Sequence, residues 1–324
     1  MKLNTLNVPA SWLPLVCVFG LSWELTAVIA QAPKSVRIAE SGEQPTAGKP
    51  VLLPASFEHE RIFVVPETID GRRLKFFTDT GGAAGVFADS LSDATELRFK
   101  PEARIPPPSI GGGRVAVWDR PPQQPPAKDV DGMLGASWFA GRTWTFDYPG
   151  KKLWWRAHGD LPSHDPKDRA PVGLKMSEGE QLAFPRIAIR IDGRDLSVLL
   201  DTGGTIVLSE AGAAAFGRSA GDEQSASFIT ATIFDQWRKE HVDWRVIENA
   251  DTLFSAPIIQ VPSVEIAGKQ TGPAWFTRRE DKTFVESMNP WMDKPIEGAI
   301  GGNVLSHFVL TVDYTTGIAI FQKP

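Results

Sequence analysis

Short apolar runs broken by Gly, Pro and Asp dominate the chain, and the pattern predicts strands rather than helices. Ile62-Phe63-Val64-Val65 and Ile187-Ala188-Ile189-Arg190 read as strands, each followed by Asp-Gly, a tight-turn signal, and then by a returning apolar run, Leu74 to Thr78 or Leu196 to Leu200. Thr143 to Tyr148 and Val309 to Tyr314 predict two further strands, closed by turns at Pro149-Gly150 and Thr315-Thr316-Gly317. One short helix is expected at Glu210 to Phe216, with Ser209 as its N-cap and Gly217 just past its end. Pro106 to Pro108 and Pro121 to Pro126 must be loops or sheet edges, because proline cannot donate to a ladder. Between them, Gly111-Gly112-Gly113 and Arg114 to Trp118 read as a flexible hairpin. With 29 Gly and 26 Pro in 324 residues, a mostly-β chain follows.

The elements repeat. Ile69-Asp70-Gly71-Arg72 returns as Ile191-Asp192-Gly193-Arg194, and Asp79-Thr80-Gly81-Gly82 returns as Asp201-Thr202-Gly203-Gly204 at the same offset, 201 − 79 = 122. A second block, Gly132-Met133-Leu134-Gly135, pairs with Gly298-Ala299-Ile300-Gly301 at 298 − 132 = 166, and Thr145, Asp147 and Tyr148 meet Thr311, Asp313 and Tyr314 in that frame. The chain is therefore a duplication with 166 − 122 = 44 additional residues in its second half. Each half places one Asp on a turn just beyond a buried strand.

Composition narrows the classes of function. At 42% hydrophobic and 23% charged, the chain has enough apolar material for a large core, and a net charge of −5 without basic blocks disfavours nucleic acid as a partner. Residues 1–32 read as an export signal, with Lys2 near the start, an apolar stretch from Trp12 to Ala30 and small residues at Ala30-Gln31-Ala32 for cleavage. Ser22, Trp23 and Glu24 interrupt that stretch, so the mature chain is expected to carry no membrane span. The single cysteine, Cys17, falls within the leader, which leaves the mature protein without disulfides or thiol chemistry. Periplasmic or secreted localisation is the expectation, as a monomer.

Asp79-Thr80-Gly81 and Asp201-Thr202-Gly203, each followed by an apolar-apolar-Gly element (Met133-Leu134-Gly135; Ala299-Ile300-Gly301), resemble the pepsin-like and retropepsin-like aspartic peptidases over about Ile62 to Phe321. The resemblance implies an all-β fold of two acid-protease β-barrel lobes related by a pseudo-twofold axis, with a cleft between them and few short helices. It implies that Asp79 and Asp201 are the catalytic pair of an endopeptidase acting on a peptide or protein substrate, without metal or other cofactor. Two carboxylates brought together cannot both ionise cheaply, so such a pair shares a proton, as is familiar in aspartic peptidases. Gly81 and Gly203 are expected to let the backbone turn and aim N–H groups at the carboxylates, and Thr80 and Thr202 to cross-link the two loops.

Three features depart from the family pattern. Gly82 and Gly204 stand where pepsins offer a hydroxyl and retropepsins an Ala, the only tyrosines are Tyr148 and Tyr314, and no flap sequence is recognisable beyond Gly111 to Trp118. A catalytically silent bilobal protein gripping an extended peptide or an envelope partner is the rival reading. Asp147 and Asp313 are expected to bond their own hairpin turns, and His59, His158, His164, His241 and His307 show no ligand spacing. No Gly-x-Ser-x-Gly elbow supports a serine hydrolase. Trp237, Trp244, Trp275 and Trp291, in the longer second half, are expected to form an extra core layer rather than a substrate wall. The expected division is a linker at 33–56, a first lobe at 57–160, a hinge at 161–170 and a second lobe at 171–324.

Overall fold

The computed structural model describes residues 34–120, 129–177, 180–181 and 183–324. The expected leader, with Lys2 and Cys17, and the run Pro121 to Pro126 lie outside the described residues.

Local chemistry sets the elements. Arg186–Ile191 alternates buried and more exposed positions, turns through Asp192 (φ 50°) and Gly193 (φ 75°), and returns as Arg194–Leu200, with Ile191 opposite Arg194. Two successive left-handed residues give the hairpin a twist that matches its strands. In the first copy Arg61–Val64 returns as Phe76–Thr78 through a wider turn, in which Thr68 N–H donates to the Arg72 carbonyl. The helix Glu210–Phe216 forms as its caps dictate: the Ser209 hydroxyl accepts from Gly212 N–H, and Gly217 turns left-handed at φ 62°.

These strands make three large sheets. An eight-stranded sheet forms the first lobe and a nine-stranded sheet the second. Between them runs a six-stranded sheet in the order Arg169–Pro171, Ile318–Gln322, Val309–Asp313, Thr143–Asp147, Lys152–Arg156, Val51–Leu52. The two terminal hairpins thus do more than end their lobes: Thr143–Asp147 pairs antiparallel with Val309–Asp313, placing Thr145 opposite Thr311. The result is a bilobal, mostly-β architecture, with its core continuous through Trp144, Phe146, Leu310 and Val312.

Three boundaries differ from expectation. The 33–56 stretch is woven into the fold rather than being a linker: Ser35–Ile38 inserts beside Arg114–Trp118 with Val36 and Ile38 buried, and Val51–Leu52 joins the central sheet. The hinge at 161–170 ends in sheet, since Arg169–Pro171 pairs with Ile318–Ile320. Arg114–Trp118 is not a free hairpin; it lies between Ser35–Ile38 and Gly85–Phe87 inside the first-lobe sheet. In each case the sheet partners lie far away in sequence, where no local pattern announces them.

A longer helix, Ala231–Glu240, also forms, burying Ile233, Phe234 and Trp237 on one side. Trp237 meets Phe276 edge to face, Trp275 is buried, and Trp244 and Trp291 pack against the core, so the tryptophan-rich segment is a core layer. Asp147 accepts from Gly150 N–H, and Asp313 from Thr315 N–H, each within its own turn.

Candidate active site

Each Asp-Thr-Gly turn hangs from a buried strand and is anchored by its partner motif. The Asp79 N–H donates to the Leu134 carbonyl at 3.0 Å, and the Asp201 N–H to the Ile300 carbonyl at 2.9 Å. Strand Phe76–Thr78 runs parallel to Gly132–Leu134, and Arg194–Leu200 parallel to Gly298–Ile300. Close approach demands glycine here: a Cβ on Gly135 would sit 2.3 Å from the Gly82 carbonyl oxygen.

The loops then lock to one another. Thr80 N–H donates to Thr202 Oγ1 at 3.2 Å and Thr202 N–H to Thr80 Oγ1 at 3.0 Å, while the two hydroxyls donate to the carbonyls of Leu200 (2.7 Å) and Thr78 (3.3 Å). Both threonines are completely buried. Four reciprocal bonds across the pseudo-twofold fix the separation of the two aspartates.

Asp79 and Asp201 meet at that axis, close enough to share a hydrogen bond between their carboxyl groups. Gly81 N–H donates to Asp79 Oδ1 and Gly203 N–H to Asp201 Oδ1, each at 2.9 Å. The backbones of Gly82 and Gly204 bond the same carboxyls. Apart from its partner carboxyl, Asp201 Oδ2 accepts from no described residue. Both carboxyls are almost wholly enclosed, Asp79 at 2% and Asp201 at 0% exposure.

The electrostatics follow from burial. Desolvation pushes the Asp79 carboxyl up to about 6 against the backbone donors that favour its charge. Desolvation first, and the neighbouring Asp79 charge second, hold Asp201 well above the ordinary carboxylate range. A pair so placed carries one proton between two oxygens, which is what a combined acid and base requires. Among the described residues no cluster of His, Cys, Asp or Glu could hold a metal ion.

The sequence reading brought six residues to this site, Asp79, Thr80, Gly81, Asp201, Thr202 and Gly203, and all six lie together. It missed the clasp at the edge of the site. The turn His59-Glu60, left-handed at φ 52° and 63°, leans on the second lobe, where Gln224 Nε2 donates to Glu60 at 3.0 Å and Arg61 pairs with Glu223. It missed Phe228 as well, whose ring edge lies 3.3 Å from where a Gly204 Cβ would be. A lone Glu-Arg pair or a single Phe carries no spacing signal, so neither was recoverable from sequence.

No family model and no curated protein matches the chain. Among solved structures it is similar to conglutin gamma, a basic 7S globulin from lupine seeds, at 10% identity and a TM-score of 0.44, covering 85% of this chain and 96% of that one. It is similar also to the basic 7S globulin from soybean, at 11% identity and a TM-score of 0.43, with the same coverage of 85% and 96%.

Proposed function

We propose that the chain is an aspartic-type endopeptidase in which Asp79 and Asp201 activate a water molecule against a peptide carbonyl. The observation that carries this reading is the meeting of two buried carboxyls, each in its own Asp-Thr-Gly turn, with their proton affinity raised by burial. The ionised carboxylate takes a proton from water as its oxygen bonds to the carbonyl carbon, and the protonated carboxyl donates to the carbonyl oxygen. Collapse of the tetrahedral intermediate breaks the C–N bond, the amine leaving with a proton from the pair. Thr80 and Thr202 hold the carboxyls in register, and Gly81 and Gly203 supply N–H donors to the charged form. Export to the periplasm or exterior, from residues 1–32, and a monomeric state belong to the same proposal.

One observation favours the rival reading of a silent peptide-gripping protein: neither carboxyl is open to solvent in this conformation. Cleavage of an unfolded casein-like substrate decides between them, comparing the natural chain with Asp79→Asn, Asp201→Asn and the double variant. Under the peptidase reading all three variants are about equally inactive, because residues acting as one unit are non-additive. Substantial cleavage by either single variant removes the pair as the catalytic centre. A natural chain that binds a pepstatin-type inhibitor yet cleaves nothing across a broad pH range supports the silent reading.

A further inference from the structure

The strand registers make Trp118 and Arg279 pseudosymmetric equivalents. Gly85 faces Met133 in one lobe and Phe228 faces Ala299 in the other, and Met133 and Ala299 are equivalent in the 166-residue frame. From Gly85 and Phe228 the next strands pair with Ala116 and Thr277, and two residues on lie Trp118 and Arg279. Side chains alternate along strands and align across them, so each set shares the sheet face of its own aspartate: Phe77, Met133 and Trp118 with Asp79, and Leu199, Ala299 and Arg279 with Asp201. Two matched sites therefore flank the carboxyl pair.

Their chemistry is unlike. On the first lobe Phe63, Phe77, Phe87 and Met133 cluster with Trp118 half-buried against them. On the second, Leu199, Phe228, Phe284, Met288 and Ala299 line a small cavity with Arg279. Arg279 is 5% exposed and rigidly held: its Nη2 donates to Asp251 at 2.9 Å, and its guanidinium lies 4.5 Å from the Phe228 ring centroid and 4.2 Å from that of Phe254. Asp251 also accepts from the N–H groups of Val207 and Leu253. The Arg279 Nε–H has no partner among the described residues, and neither does the buried hydroxyl of Thr277 on the same face. A buried donor without an acceptor is costly, on the order of 1–3 kcal/mol.

We infer that Arg279 is a specificity-determining residue, its Nε–H donating to the oxygen of a Gln or Glu side chain beside the scissile bond, while the first-lobe site takes an aromatic or aliphatic side chain on the other side. The inference rests on the peptidase reading for its cleavage readout but not for its binding readout. The Asp251 partnership neutralises the guanidinium, so the amide of Gln is accepted as readily as the carboxylate of Glu. Met288, unbranched and adaptable, is the wall that yields as the side chain enters.

The test uses a peptide series varied at one position among Gln, Glu, Leu and Met. Cleavage is followed with the natural chain and Arg279→Lys, and binding by fluorescence polarisation with the Asp79→Asn variant and its Arg279→Lys derivative. Lysine keeps a cation beside Asp251 and removes the Nε–H donor. Ala299→Val, which narrows the same cavity, serves as a second variant should Arg279→Lys fold poorly. Expected are a preference of about tenfold for Gln and Glu over Leu in both readouts, and its loss in Arg279→Lys. In Ala299→Val all four peptides weaken together. Binding selectivity without cleavage would overturn the peptidase reading and leave this inference standing. Cleavage without that preference, a preference unchanged in Arg279→Lys, or no binding of any peptide would overturn the inference.

Discussion

The hydroxyls of Thr145 and Thr311, 166 positions apart in sequence, lie 2.7 Å from each other in the buried centre of the sheet that joins the lobes. They sit where the pseudo-twofold axis passes between Thr143–Asp147 and Val309–Asp313. Thr311→Val keeps the shape and removes one partner; Arg156 Nε still donates to Thr145 Oγ1 at 2.7 Å. A loss of about 1 kcal/mol is expected from urea unfolding. Pairing it with Thr145→Val should cost less than the sum of the two single losses, and additive losses would show that the hydroxyls are not coupled.

Position 82 has room for glycine alone. A Cβ there would lie 2.3 Å from Asp79 Oδ2 and 2.7 Å from its Cγ, so the space that pepsins give to a hydroxyl is here occupied by the carboxyl itself. Gly82→Ser is expected to push Asp79 out of register and lower kcat/KM by about a hundredfold or more, with the fold retained. Full activity in Gly82→Ser would mean that the carboxyl has room to move without consequence.

The elevated proton affinities give a sign for the pH dependence of stability. In the unfolded chain both aspartates release their protons near pH 4, whereas the native pair holds on to them, Asp79 to about 6 and Asp201 well above the ordinary carboxylate range. Over that window the native state binds more protons, so the pair's contribution is most favourable below about pH 4 and is lost as pH rises through the folded values. Asp201→Asn removes the like-charged neighbour and most of this penalty. Its melting temperature relative to the natural chain should therefore rise steadily between pH 4 and pH 7. A constant difference across that range would contradict the coupling of the two carboxyls.

The Asp-Thr-Gly turns were legible in the sequence because each residue type is demanded locally: an Asp to carry charge, a hydroxyl to bridge, a glycine to let backbone approach. The helix Glu210–Phe216 was legible for the same reason, since Ser209 and Gly217 mark its ends. The central sheet was not, although Thr145 and Thr311 recur in frame, because repetition reveals equivalence and not contact. Ser35–Ile38 and Arg169–Pro171 escaped because strands this short take their stability from their sheet partners. Ala231–Glu240 was the recoverable miss, as Ile233, Phe234 and Trp237 fall on one side of a helix.

The clasp between the lobes supplies the last prediction. Arg61 is 6% exposed, lies 5.2 Å from the Phe63 ring centroid and 5.8 Å from that of Phe77, and crosses to Glu223 of the second lobe. Arg61→Met keeps an unbranched stem over the two rings but leaves the Glu223 carboxylate, only 20% exposed, without its cation. Because stranding one member of a buried pair is the costly event, a destabilisation of about 3 kcal/mol is expected. Replacing both members, Arg61→Met with Glu223→Gln, removes the stranded charge and should recover most of that loss, since apolar or neutral substitutes for a buried pair are often nearly neutral. Urea unfolding of the two single variants and the double variant measures the coupling. A double variant as unstable as the sum of the single losses would mean that Arg61 acts through the aromatic rings alone and that the lobes are not joined through its charge.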